Sequence, residues 1–156
     1  MSNQPERPLV PFQTTIKVRD HCLCLHTQRA ARRLARIFDD ALRPVGLKSG
    51  QFSLLMSLNR PAPPSIGEVA TVLGMDRTTL TANLKPLEKR GLVRVSADEE
   101  DRRTRRLSLT PAGEQLLKTA APIWEATHAR IAVHFEDGAD KLRNDLATLA
   151  RIEEAE

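Results

Sequence analysis

The stretch that decides the fold runs from Thr78 to Thr110: TTLTANLKPLEKRGLVRVSADEEDRRTRRLSLT. Leu80, Leu84 and Leu87 recur at i, i+4, i+7, the spacing of one apolar helix face. Asp76 just ahead is a capping residue, and Gly91 suits a left-handed stop. Val93 and Val95 alternate with polar residues, as do Leu107 and Leu109, so each pair marks a half-buried strand. Asp98, Glu99, Glu100 and Asp101, then Arg102, Arg103, Arg105 and Arg106, crowd the tip between them. The stretch predicts a helix followed by a two-stranded wing. Pro86 inside that helix predicts a kink or a tightened last turn.

Upstream, Ser49 to Asn59 reads as a helix, stopped by Pro61, Pro63 and Pro64. Ser65 and Glu68 form a capping box for the next one, which carries Ile66, Val69, Ala70 and Leu73. The turn Leu73-Gly74-Met75-Asp76 joins it to the wing-side helix, the signature of a helix-turn-helix. The polar face of the second helix then holds Thr78, Ala82, Lys85 and Lys89, with Arg77, Thr79 and Thr81 flanking its start. Recognition helices touch base edges mainly with N-terminal residues, which favours the threonines for base contact. Lys85, Lys89 and Arg90 suit phosphates.

Helices flank this unit. Asp20 to Leu42 is one predicted helix, with Leu34, Ile37 and Phe38 on one side and Arg29, Arg32, Arg33 and Arg36 on another. Pro5, Pro8 and Pro11 make residues 1–19 an expected flexible arm. Thr110-Pro111 opens a long helix toward Phe135, with an expected bend at Pro122, and Leu142, Leu146, Leu149 and Ile152 mark a last helix. The division is therefore arm 1–19, terminal helices 20–47 and 111–156, and a helix-turn-helix with wing over 48–110. The fold class is mainly α with a small β-wing.

The 156 residues, 40% hydrophobic and 28% charged, are enough for one compact domain with appended helices. The net charge of +4 suits a polyanionic partner. Four Phe, one Trp and no Tyr argue against the stacking platforms of single-strand binders. Residues 17–36 hold six basic residues against Asp20, and residues 136–156 hold seven acids against three bases. Opposite charge at the two ends predicts that they pack together, within a subunit or between subunits. The start lacks an apolar signal sequence, no run is long enough to span a bilayer, and two cysteines without an export signal fit reduced thiols in the cytoplasm.

The run LGMDRTTLTANLKPLEKRGLVRVSADEEDRRTRRLSLTPAG resembles the multiple antibiotic resistance regulator (MarR) family of winged-helix transcription factors. The Leu73-Gly74 turn, the Leu84/Leu87/Glu88/Gly91-Leu92-Val93 spacing, the Asp101-x-Arg103 wing and the Leu-x-Leu-Thr that follows carry the resemblance, with the Leu42-x-Pro44-x-Gly46-Leu47 turn and Gln51-Phe52. The resemblance implies a winged helix-turn-helix flanked by N- and C-terminal dimerisation helices. It implies a homodimer on double-stranded DNA, with Arg103 in the minor groove and Asp101 bracing it. It also implies release by a small ligand, an aromatic acid or phenolic. Ala82 departs from the arginine that members often carry in the recognition helix.

The expected function is thus a cytoplasmic, sequence-specific DNA-binding regulator, a repressor on a pseudo-palindromic operator. Arg77, Thr78, Thr79, Thr81, Lys85, Lys89, Asp101, Arg102, Arg103 and Arg105 are its candidate DNA contacts. No motif fixes an effector pocket. Arg29, Arg33 and Arg36 either grip an anionic ligand or pair with the acidic C-terminal helix (Asp140, Asp145, Glu153). Trp124 and His128 are further ligand candidates, and core or interface residues otherwise.

His21-Cys22-Leu23-Cys24-Leu25-His26 raises a redox or metal alternative, since Cys22 and His26 are i, i+4 on one helix. On a continuous helix Cys22 and Cys24 point to nearly opposite sides, which disfavours a disulfide. No metal or cofactor is expected. A winged-helix protein-interaction module that binds no DNA is the other competing class. No enzyme is expected: the chain carries no P-loop, no Gly-x-Gly-x-x-Gly, no His-Glu-x-x-His and no nucleophile elbow.

Overall fold

The computed structural model describes residues 9–152. Pro5, Pro8 and Glu153 lie outside the described residues. The elements are α1 (Phe12–His21), α2 (Leu23–Leu42), α3 (Ser49–Leu58), α4 (Ile66–Leu73), α5 (Arg77–Lys89), β1 (Val93–Ala97), β2 (Arg105–Leu109), α6 (Pro111–Ala132) and α7 (Gly138–Leu149). The architecture is a winged helix-turn-helix with long helices before and after it.

The caps fall where the side chains place them. Ser65 accepts the Glu68 amide at 3.2 Å while Glu68 takes the Ser65 amide at 2.7 Å, closing the capping box of α4. Gly74, at φ +62°, turns α4 into α5 in a backbone conformation that a Cβ would strain. Asp76 accepts the Thr79 amide at 2.8 Å and starts α5. Around Pro86 the last turn tightens: the Arg90 amide bonds the Pro86 carbonyl and the Gly91 amide reaches Glu88 at 2.8 Å.

The core is assembled from the apolar faces that these stops define. Leu80, Leu84 and Leu87 of α5 bury against Leu54 and Leu55 of α3, Val69 of α4 and Leu107 of β2. Each of these leucines and Val69 is almost entirely removed from water, worth about 1.5–3 kcal/mol apiece. The strands pair antiparallel from Val93↔Leu109 to Ala97↔Arg105. On the other edge of β2 the Leu107 amide donates to the Pro64 carbonyl at 2.9 Å, so the segment entering α4 supplies a third short rung. The wing is therefore tied to the helix-turn-helix by backbone as well as by side chains.

Two expectations at the N-terminus are corrected. Residues 12–19, expected as part of an extended arm, form α1 instead: Pro11 sits just ahead of the first turn, where a proline fits helix geometry. The single helix expected from Asp20 to Leu42 is broken at Cys22, whose backbone is extended (φ −73°, ψ 107°). The Cys22 sulfur takes the Leu25 amide at 3.4 Å and so serves as the cap of α2. The amphipathic pattern of Leu34 to Ala41 could not reveal this break, because it lies C-terminal to it.

α6 docks by close backbone approach. The Thr110 hydroxyl donates to the Gly91 carbonyl at 2.6 Å and accepts the Gly113 amide at 3.1 Å. A Cβ on Gly113 would sit 2.2 Å from the Leu92 carbonyl oxygen, an atom that cannot retreat without breaking its bond to the Thr110 amide. Gly113→Ala should cost about 1–3 kcal/mol of stability by urea denaturation. An unchanged midpoint contradicts this docking.

Candidate nucleic-acid interface

The polar side of α5 faces water along its length. Arg77, Thr78, Thr79, Thr81, Ala82, Lys85 and Lys89 are all exposed, while the leucines of the same helix are buried. Their hydroxyls differ in availability. The Thr79 hydroxyl donates to the second Asp76 oxygen at 2.6 Å, and the Thr81 hydroxyl to the Arg77 carbonyl at 2.7 Å. The Thr79 hydrogen is committed to the helix cap and the Thr81 hydrogen to a carbonyl one turn back, while their methyls stay exposed. The Thr79 hydroxyl also leads the causes that hold the Asp76 carboxyl below its ordinary value. The Thr78 hydroxyl makes no such bond to the described residues. Arg90, expected toward phosphate, donates instead to the Gly46 carbonyl at 2.9 Å and ties the end of α5 to the turn after α2.

The wing tip is built by two aspartates. Asp98 accepts the amides of Glu100 and Asp101, each at 2.9 Å. Asp101 accepts the Arg103 amide and the Thr104 hydroxyl, each at 3.0 Å. This corrects the expected brace: Asp101 holds the backbone of Arg103, not its guanidinium, because its two oxygens are already engaged by the turn. The guanidinium of Arg103 stays exposed, as do those of Arg102 and Arg105.

Arg106, which the sequence placed among the tip arginines, has another role. Its Nε donates to Asp98 at 2.6 Å and its Nη1 lies 3.4 Å from Glu68 and 3.5 Å from the Pro63 carbonyl. It clamps the wing to the start of α4. The isolated bridge between Ser65 and Arg106 adds backbone to the same joint. A sequence signal existed: Arg106 is the second residue of β2 and, next to the buried Leu107, falls on the opposite face of the strand.

The result is a cleft of about 270 Å³ between the start of α4, the start of α5 and the wing, lined by Arg77, Thr81, Arg103 and Arg105 with Ser65, Ile66, Gly67 and Thr104. No acidic side chain lines it. Gly67 makes room for Arg77, whose guanidinium lies 3.0 Å from where a Cβ would be. Four of the candidate contacts thus share one basic cleft, and Thr78, Thr79, Lys85 and Lys89 continue from it along α5. Arg102 and Asp101 sit at the tip beyond.

The expected ligand residues do not converge. Arg29, Arg33 and Arg36 line an open depression of about 520 Å³ along α2. None of them pairs with an acid among the described residues. Trp124 stacks between Phe52 and His128, with centroids 6.2 and 5.1 Å apart. His128 also borders a separate apolar cavity of about 140 Å³ among α2, α6 and α7, lined by Leu34, Phe38, Ile131, Phe135, Leu142 and Arg143. Its residues come from three helices, with α2 far in sequence from α6 and α7, so no local pattern announces it. Among the described residues no three metal-ligating side chains gather, and no helix is long and apolar enough to cross a membrane.

A helix-turn-helix whose second helix and wing present one continuous basic face defines the class of winged-helix regulators. Residues 47–104 match the model of the MarR family. MosR, a transcriptional regulator of M. tuberculosis solved in complex with DNA, superposes with a TM-score of 0.78 at 38% identity, over 84% of this chain and 95% of MosR. The transcriptional repressor MprA of Escherichia coli K12 is 31% identical over 114 residues, 72% of this chain and 61% of MprA. The transcriptional activatory protein BadR of Rhodopseudomonas palustris is 31% identical over 96 residues, 60% of this chain and 55% of BadR. The chain thus spans somewhat more than half the length of these two curated relatives. It belongs to the MarR family of transcriptional regulators.

The clamp carries a pH signature. The Asp101 amide, the Arg106 guanidinium and the Glu100 amide, in that order, pull the Asp98 carboxyl from 3.8 down to about 2. A carboxyl depressed in the folded state adds stability that is present above its unfolded value and is lost as pH falls through its folded one. Asp98 should therefore contribute fully at neutral pH and lose its contribution between pH 3.8 and about 2. Asp98→Asn should lower stability at pH 7 and flatten the acid limb of a stability-against-pH curve in that window. An acid limb identical to that of the parent protein contradicts the clamp.

Proposed function

We propose that this chain is a homodimeric, sequence-specific DNA-binding regulator that acts in the cytoplasm, with residues 48–110 reading the operator and residues 20–47 and 111–156 holding the dimer. The observation that carries the reading is the acid-free cleft in which Arg77, Thr81, Arg103 and Arg105 meet. The DNA complex of MosR supports it. In this reading α5 enters a major groove with Thr78 and the methyls of Thr79, Thr81 and Ala82 against base edges. Lys85 and Lys89 meet phosphates, and Arg102, Arg103 and Arg105 carry the wing to the neighbouring minor groove. Asp101 shapes the tip that presents Arg103. With Ala82 unable to donate a hydrogen bond, the wing and the shape of the DNA carry a larger share of the specificity.

The direction of control is repression, since occupying an operator is sufficient for it, whereas activation also needs a surface for the polymerase. MprA is named a repressor and BadR an activator. The effector is a small aromatic or anionic molecule. The apolar cavity beside His128 and Arg143 is sized for about one ring. It offers a better seat than the open arginine depression, because an apolar cavity with few polar groups at its rim is what small-ligand sites resemble.

The test is a gel shift with the DNA upstream of the chain's own coding sequence. The protein should protect a pseudo-palindrome with half-sites about one helical turn apart, and its affinity should fall steeply with salt. Arg103→Ala should weaken binding about tenfold or more, and Lys89→Ala should weaken all sequences alike while lowering the salt slope by about one. No retarded complex, with the arginine wing instead retaining an acidic protein, would favour the protein-interaction module. Undiminished binding by Arg103→Ala would remove the wing from the interface.

A further inference from the structure

Glycine at position 67 has no backbone reason to be there. Among the described residues Gly46, Gly74, Gly91 and Gly138 sit at positive φ, and Gly67 does not. It is the second residue of α4, inside a helix, where glycine is a poorer helix former than alanine. Nor does it make way for backbone, as Gly113 does for the Leu92 carbonyl. What fills the space beside it is a side chain from the next helix. A Cβ on Gly67 would lie 3.0 Å from Nη2 of Arg77, 3.6 Å from its Cζ and 3.7 Å from its Nε. With three of its atoms at such similar distances, the guanidinium lies broadside to the glycine rather than end-on.

Arg77 is the first residue of α5, and its side chain folds back from there onto the first turn of α4. The acids beside this pair are already engaged. Asp76 gives both oxygens to Thr79, and Glu68 is held by the Ser65 amide and Arg106. Arg77 itself makes no ion pair among the described residues. Its charge is left facing the acid-free cleft that it shares with Arg103 and Arg105.

We infer that Gly67 is a positioning residue: its missing side chain is the seat that holds the Arg77 guanidinium over the first turn of α4, where it clamps one DNA backbone phosphate between α5 and the wing. A helix in a major groove and a wing in the neighbouring minor groove straddle one sugar–phosphate strand, because that strand is what separates the two grooves. The cleft between α5 and the wing therefore faces backbone rather than base edges. A phosphodiester presents two unesterified oxygens, and the planar fork of an arginine donates to both at once.

This assignment rests on the proposed DNA-binding reading and sharpens it. Arg77, at the start of the recognition helix, works on the strand between the grooves and carries no sequence information of its own. A fork already laid against glycine has less rotamer freedom to lose when the phosphate arrives, so the seat adds affinity by preorganisation. A side chain at position 67 would hold the fork off that seat.

The test measures binding of the full-length protein to its upstream DNA, and to a scrambled duplex of equal length, across salt concentrations. The variants are Arg77→Ala, Gly67→Ala, Gly67→Leu and the double variant Gly67→Leu with Arg77→Ala, each also unfolded in urea. Arg77→Ala should weaken both duplexes about tenfold and lower the salt slope by about one, the mark of a lost phosphate contact. Gly67→Leu fills the seat and should reproduce that loss. Gly67→Ala, from which the guanidinium can retreat by a few tenths of an ångström, should lie between it and the parent protein. Alanine and leucine favour helix over glycine, so the urea midpoints should hold or rise while affinity falls. The double variant should bind as Arg77→Ala does, since the seat acts only through its occupant. A double variant weaker than Arg77→Ala means that leucine obstructs the DNA itself, and it overturns the seat. Midpoints that fall with affinity overturn it as well, and so do Gly67 variants that bind like the parent. A loss by Arg77→Ala confined to the upstream DNA makes Arg77 a base reader and overturns the clamp. A parent protein that retards neither duplex contradicts the DNA-binding reading and the clamp with it, whereas a parent that binds and variants that match it contradict the clamp alone.

Discussion

The contact on which the arrangement depends is that of Arg106 with Asp98, Glu68 and the Pro63 carbonyl. A two-stranded ribbon alone is marginal in water. It becomes a fixed limb only when one edge is paired and its base is pinned. The Leu107 amide on Pro64 supplies the pairing, and Arg106 supplies the pin. The same Glu68 closes the capping box of α4, so the wing is fastened to the residues that start the helix-turn-helix. Arg103 and Arg105 reach the cleft with Arg77 because the limb that carries them cannot swing.

This also explains the mixture of charges at the tip. Four acids beside four arginines look self-cancelling in the sequence, and acids repel phosphate. Two of the acids are spent inward: Asp98 on tip amides and Arg106, and Asp101 on the Arg103 amide and the Thr104 hydroxyl. Shaping the turn with carboxylates leaves the outer guanidinium groups unpaired and outward. An exposed ion pair would add little stability, whereas a preorganised donor fork facing a groove gains geometric specificity.

The helix-turn-helix and wing were legible because their signals are local. Leu80, Leu84 and Leu87 set a helix face, Ser65 with Glu68 and Asp76 set starts, and Gly74 and Gly91 set stops. The break at Cys22 was hidden because a cysteine sulfur is a weak cap and the apolar period further along α2 is uninterrupted. The role of Arg106 was hidden because its partners lie 8 and 38 residues away. The cavity beside His128 was hidden for the same reason, as three helices contribute to it. The opposite charges of the two ends suggested pairing within a subunit or between subunits; within the chain the arginines of α2 make no ion pair with α7 among the described residues, and Lys141 and Arg143 satisfy Asp145 and Asp140 within α7. Charge balance is a property of composition; which charges meet is a property of packing.

The central claim is that Arg106 holds the wing in register with α5. Amide hydrogen exchange of Arg106→Ala measures this directly, because it separates local from global opening. The account predicts faster exchange at the Asp98 and Thr104 amides and along β2, with the amides of α3 and the middle of α5 unchanged. Wing amides as protected as in the parent protein would contradict it, and so would acceleration spread evenly over the whole domain.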